Sequence, residues 1–126
     1  MNQAITWLLN EKHKGRLTDR AKKDIERLKK GEPVDYLIGY KKFFGCKIDL
    51  RYKPLIPREE TEFWVTRAIE DLQPPGGCKS STPRGLLSCL DVFAGSGCCG
   101  IAVLKHIPDS HCDFLDIDAH CLNRLN

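Results

Sequence analysis

An α/β fold, entered through a small helical region and a β-hairpin, is predicted by three observations. The apolar run Leu90-Asp91-Val92-Phe93 leads into a glycine-dense turn, Gly95-Ser96-Gly97-Cys98-Cys99-Gly100. Apolar residues at helical spacing follow (Ile101, Val103, Leu104). A second apolar run, Phe114-Leu115-Asp116-Ile117-Asp118, then closes on acidic residues. Strand, turn, helix and strand in that order make one βαβ unit. Such a unit takes about 30 residues, and an open parallel sheet needs several. Only one fits between Leu86 and Asn126, so the 126 residues are expected to be the N-terminal part of a larger protein.

The preceding elements follow from periodicity and punctuation. Ala4, Trp7, Leu8 with Ile5, Leu9 predict a first helix, and Ala21, Ile25, Leu28 a second, capped by Thr18 or Asp19 and stopped at Gly31. Residues 1–32 therefore read as a helical region. Tyr36-Leu37-Ile38-Gly39-Tyr40, Phe43-Phe44-Gly45 and the alternating Cys46, Ile48, Leu50 predict a β-hairpin within residues 33–53, turning around Lys41–Gly45. In residues 54–85, the two prolines hold Pro54-Leu55-Ile56-Pro57-Arg58 extended. Phe63, Ala68, Ile69 and Leu72 predict a helix over 59–72, with Glu59, Glu60 and Glu62 at the positive end of its dipole. The stretch from Pro74 to Pro83 reads as a loop or linker. The α/β unit, residues 86–126, begins near Leu86 and is incomplete.

Charge is distributed unevenly. Residues 1–53 hold 14 Lys and Arg against 7 Asp and Glu, whereas residues 54–126 hold 6 against 10. A basic front half steers an acidic protein or RNA-rich partner, or is simply a solvated helical face. The seven cysteines are odd in number and six sit in apolar or strand-like positions, which suits reduced thiols inside a cell. A zinc site is disfavoured: no Cys-x-x-Cys pair exists, and Cys98 and Cys99 are expected to point in different directions on a helix start. No run of 18 apolar residues is present and no secretory signal opens the chain, so no membrane association is expected.

The glycine turn satisfies Gly-x-Gly-x-x-Gly, in which missing side chains let backbone approach a ligand at a helix N-terminus. Asp91 beside the turn and bulky Phe93 ahead of its glycines argue against a pyrophosphate-bearing dinucleotide and for a cationic ligand. S-adenosylmethionine carries a sulfonium, an ammonium and an adenosine, which matches. Asp118 lies 23 residues past Gly95, near the roughly 20 expected of a ribose-binding carboxylate. Alternatively, Asp118 only caps a helix starting at Ala119. Asp116 is expected on the opposite face, as a structural or solvent contact, and a tight turn without a ligand stands as the bland alternative.

Three segments carry a resemblance: Asp91-Val92-Phe93-Ala94-Gly95-Ser96-Gly97, Leu55-Ile56-Pro57-Arg58-Glu59-Glu60-Thr61-Glu62, and Gly31-Glu32-Pro33-Val34-Asp35-Tyr36-Leu37-Ile38-Gly39. Over about Leu28 to Asn126 the chain resembles the HemK family of release-factor glutamine methyltransferases. The resemblance implies a class I, Rossmann-like methyltransferase domain. It implies methyl transfer from S-adenosylmethionine to the glutamine amide of the Gly-Gly-Gln tip of peptide-chain release factors. Phe93, Ala94, Gly95, Ser96 and Gly97 would line the cofactor beside Asp91, with Asp118 on the ribose. Pro57 and Arg58 would shape the substrate mouth, Arg58 having a salt bridge to Glu62 as its structural alternative.

Many family members carry glycine where Phe93 stands. The family's Asn-Pro-Pro-Tyr loop, which positions the amide, is absent here, so no catalytic residue carries over and the 126 residues are expected to be inactive by themselves. A methyltransferase acting on a nucleic-acid base amino group and a non-catalytic binding remnant are the alternatives. The resemblance further implies a release factor as partner, nucleic acid only indirectly, a monomer, and a mitochondrial or otherwise cytoplasmic location.

Overall fold

A computed structural model describes residues 2–73 and 87–125. The linker predicted around Pro74–Pro83, Cys78 and the expected start of the α/β unit at Leu86 lie outside the described residues. The chain divides into two compact units, residues 1–40 and 41–126.

The first unit is helical. α1 (Gln3–His13) is capped by the Asn2 side chain, which accepts the Ala4 N–H. α2 (Asp19–Lys29) is capped by Thr18, whose Oγ1 accepts the Ala21 N–H. Thr18 is therefore the cap that the sequence left open against Asp19. Leu8, Ala21 and Leu37 are its buried apolar residues, with Asp24 buried beside them. A buried carboxylate needs partners. Asp24 has three: Lys12 at 2.8 Å, His13 at 3.0 Å and Arg27 at 3.3 Å. Burial raises its pKa, but the bonds from Lys12 and His13 outweigh that and hold it below the ordinary value.

One expectation fails here. Tyr36-Leu37-Ile38 is not strand but helix, α3 (Val34–Ile38). Pro33 at its N-cap and Gly39, left-handed at φ 92°, at its C-cap bracket a single turn, and Asp35 sits in the favourable first turn. The hairpin strands that follow are shorter than expected: β1 (Tyr40–Phe43) and β2 (Cys46–Asp49), hydrogen-bonded as a two-stranded sheet. Phe44 and Gly45 make the turn, at φ 41° and 72°.

In the second unit, α4 (Glu59–Leu72) has the predicted bounds. β3 (Ser88–Val92) and β4 (His111–Leu115) pair in parallel, Cys89 opposite Cys112 and Val92 opposite Leu115, with α5 (Cys98–His106) as the crossover. A short α6 (Ala119–Leu122) follows. This is the predicted βαβ unit of an α/β fold. Cys112 and Ala102 are buried, whereas Leu90, Val92 and Leu115 on the alternate positions are about half exposed. The hairpin turn is fixed to the helices: Phe44 N–H donates to Glu62 Oε1 (2.8 Å), Lys105 Nζ donates to the Gly45 carbonyl (2.6 Å), and the His106 ring lies over Phe44. Among the described residues, no helix is long and apolar enough to cross a membrane.

Candidate functional site

Ligands of open α/β sheets bind beyond the carboxyl ends of the strands, where β3 here enters the glycine turn. The turn is built from left-handed backbone at Phe93 (φ 59°), Gly95 (φ 54°) and Gly97 (φ 72°). Phe93 is the odd member. Left-handed backbone costs a residue bearing a Cβ about 1–2 kcal/mol, and its ring is 87 % exposed, so packing does not compensate.

Gly97 is glycine first for its left-handed backbone, and Gly100 for reasons of space. A Cβ on Gly97 would come within 2.4 Å of the Leu125 side chain. One on Gly100 would come within 2.5 Å of the Phe114 ring and 2.7 Å of the Cys112 sulfur. Gly100 thus seats α5 directly on β4, the role of the third glycine in such a fingerprint.

Two carboxylates hold the turn. Asp91 Oδ2 accepts the Gly100 N–H at 2.9 Å, and Asp116 Oδ2 accepts the Gly95 N–H at 2.7 Å. Burial pushes Asp91 up, the Gly100 N–H opposes this, and the neighbouring charge of Asp116 adds to the rise. The Asp118 and Gly95 N–H groups hold Asp116 low. A turn gripped by two acids attracts a cation and repels a pyrophosphate.

The expectation that Asp116 faces away is therefore corrected. It is the first residue past β4, where strand alternation no longer governs direction, and its distance of 21 residues from Gly95 fits the roughly 20 of the fingerprint. The position just beyond the strand end was the signal for it. Asp118 also caps a helix: its Oδ1 accepts the His120 N–H at 2.9 Å and starts α6.

Ala94 and Ser96 are buried, leaving their backbone to line the turn. The six cysteines among the described residues are free thiols. No group of three or more His, Cys, Asp or Glu able to hold a metal ion occurs among the described residues.

No family model matches the chain. It is, however, 32% identical over 99 residues to the release factor glutamine methyltransferase of Rhodopirellula baltica, covering 79% of this chain and 32% of that protein. It is 36% identical over 98 residues to that of Chlorobaculum tepidum (78% and 32%), and 38% identical over 85 residues to that of Thermodesulfovibrio yellowstonii (68% and 28%). The chain belongs to the release factor glutamine methyltransferase family. It spans about a third of the length of the curated relatives it matches.

In this glutamine methyltransferase relative, the two residues expected at the substrate mouth differ in exposure: Pro57 is buried and Arg58 is exposed. Among the described residues Arg58 makes no ion pair with Glu62, whose carboxylate instead accepts the Phe44 N–H. The sequence offered no signal for that bond, which depends on how the hairpin turn meets α4.

Proposed function

We propose that the chain carries the S-adenosylmethionine half-site of a class I, Rossmann-like methyltransferase whose whole protein methylates the glutamine amide of the Gly-Gly-Gln tip in peptide-chain release factors. The observation that carries the reading is the glycine turn held between Asp91 and Asp116, in a chain whose relatives bear that methyltransferase name. The residues fit the group. The turn offers backbone at Phe93 to Gly97, its acids suit the sulfonium and ammonium charges, and Asp116 and Asp118 stand at the strand end where a ribose would lie.

When bound, the cofactor supplies an electrophilic methyl. The chain's own task is to hold it: glycine backbone for close approach, carboxylates for charge, and the exposed Phe93 ring as a surface to pack on it. An amide nitrogen is a poor nucleophile, so the reaction depends on alignment, worth up to about 7–11 kcal/mol in favourable cases. Pro57 and Arg58 would shape the substrate entrance, Pro57 by holding the backbone and Arg58 by contact. Relatives' names favour a protein substrate over a nucleic-acid base. A monomer in mitochondria, or otherwise in the cytoplasm, completes the proposal.

Incubation with a release factor and S-adenosylmethionine tests it. The 126 residues, lacking Asn-Pro-Pro-Tyr, are expected to bind the donor without transferring methyl. At 100 times its dissociation constant the donor should add about 2.7 kcal/mol of stability. Methyl transfer by these residues unaided would overturn the positioning argument, and absence of stabilisation would overturn the half-site.

A further inference from the structure

The function above leaves a pair of adjacent thiols unused. Cys98, the first residue of α5, and Cys99 bring their sulfurs to 4.0 Å, contrary to the expectation that they diverge. Cys98 is buried at 7 % exposure, and Cys99 is partly open to solvent.

That separation discriminates between possible uses of the pair. A disulfide requires sulfurs at about 2.05 Å and Cα atoms about 4.4–6.8 Å apart, whereas consecutive Cα atoms lie only about 3.8 Å apart. Direct oxidation to a ring is thus strained. Two bonds of about 2.3 Å to one soft atom at a tetrahedral angle, in contrast, span about 3.8 Å between the sulfurs. We propose that Cys98 and Cys99 together form a binding site for a single soft, thiophilic atom that takes two sulfurs.

Thiol chemistry agrees with the geometry. The bond from Cys99 pulls the Cys98 thiol down to about 7 against the opposing effect of burial, with Ser96 helping, while Cys99 is pushed up as its partner. One sulfur is therefore ready as thiolate and the other supplies the second bond after losing its proton. The competing pair, Cys89 and Cys112, lies across the β3–β4 ladder, and burial first, then Cys89, pushes the Cys112 thiol up to about 12. Cys112 thus offers no ready thiolate to begin the reaction, whereas Cys98 does. The proposed site stands independently of nucleoside binding at the turn.

Phenylarsine oxide is the probe, since its arsenic condenses with two thiols. Two As–S bonds replace the bond to oxygen, both thiol protons leave with that oxygen as water, and no oxidant is needed. Intact-mass measurement on the full 126-residue chain should show one adduct, mapped by proteolysis to the peptide holding Cys98 and Cys99. Excess glutathione should leave it and dithiothreitol should remove it.

Because the fold already fixes both side chains, binding should be about tenfold tighter than to a free peptide of the same sequence around Cys98 and Cys99. Cys99→Ser should abolish the dithiol-selective adduct, and Cys89→Ser should leave it. Mapping to Cys89 and Cys112, equal affinity for the free peptide, or full binding by Cys99→Ser would each overturn the proposal. The mapping uses the unaltered chain and so does not depend on any variant folding.

Discussion

Phe93→Gly should stabilise the protein, although it removes an aromatic ring. The ring is 87 % exposed, so its deletion forfeits little burial, while the backbone at φ 59° is held where a Cβ costs about 1–2 kcal/mol. Glycine relieves that strain but enlarges the freedom of the unfolded chain, which costs about 0.4–1 kcal/mol. Phe93→Ala is the necessary comparison, since it removes the ring and keeps the Cβ. Urea unfolding of the three proteins should place Phe93→Gly about 1 kcal/mol above Phe93→Ala, with the midpoint moved and the slope unchanged. By heat the difference should be about 4 °C for a chain of this size. If Phe93→Gly is no more stable than Phe93→Ala, the strain assigned to this turn does not exist.

Gly97→Ala should cost about 2 kcal/mol or more, combining left-handed strain with overlap of the Leu125 side chain. Adding Leu125→Ala should return about 1 kcal/mol, and simple additivity in that double-mutant cycle would contradict the contact. Asp91, raised by burial, stabilises fully below the unfolded carboxyl range and loses that contribution as pH rises through its folded value. Asp91→Asn should therefore unfold no more easily than the parent at pH 7 while gaining relative to it between pH 4 and 7. A uniform loss at both pH values would refute the assignment. Asp49 works in the opposite sense. Held at about 2 by the Arg51 guanidinium, it stabilises above its unfolded value near ~3.9 and loses this as pH falls toward 2. Arg51→Ala removes the guanidinium but keeps the backbone N–H, so it should raise the carbon-detected NMR titration of Asp49 part of the way toward about 3.9, and an unmoved titration would exclude the guanidinium as the main cause.

What the sequence disclosed was local. α4 was legible to its ends because its signals are local: Pro57 just ahead of it, the acidic first turn, and the spacing of Phe63, Ile69 and Leu72 within it. The βαβ unit was legible because glycine spacing and apolar runs encode it directly. α3 was misread because Tyr36-Leu37-Ile38 is aromatic and branched like a strand, and only its brackets, Pro33 and Gly39, announce a single helical turn. Asp116 was assigned to the wrong face because alternation was carried one residue past the end of β4. The sulfurs of Cys98 and Cys99 meet because side-chain rotation at a helix start overrides the angular offset of adjacent positions. Neither spacing nor composition reports a rotamer.

Isothermal titration of the chain with S-adenosylmethionine, alongside NAD as the pyrophosphate-bearing control, tests the two-carboxylate turn most directly. One saturable site is expected for the sulfonium nucleoside, weakened at least about tenfold by Asp116→Ala, with no comparable heat from NAD. Equal binding of NAD, or no heat from either ligand in a chain whose fold is intact, would contradict that expectation.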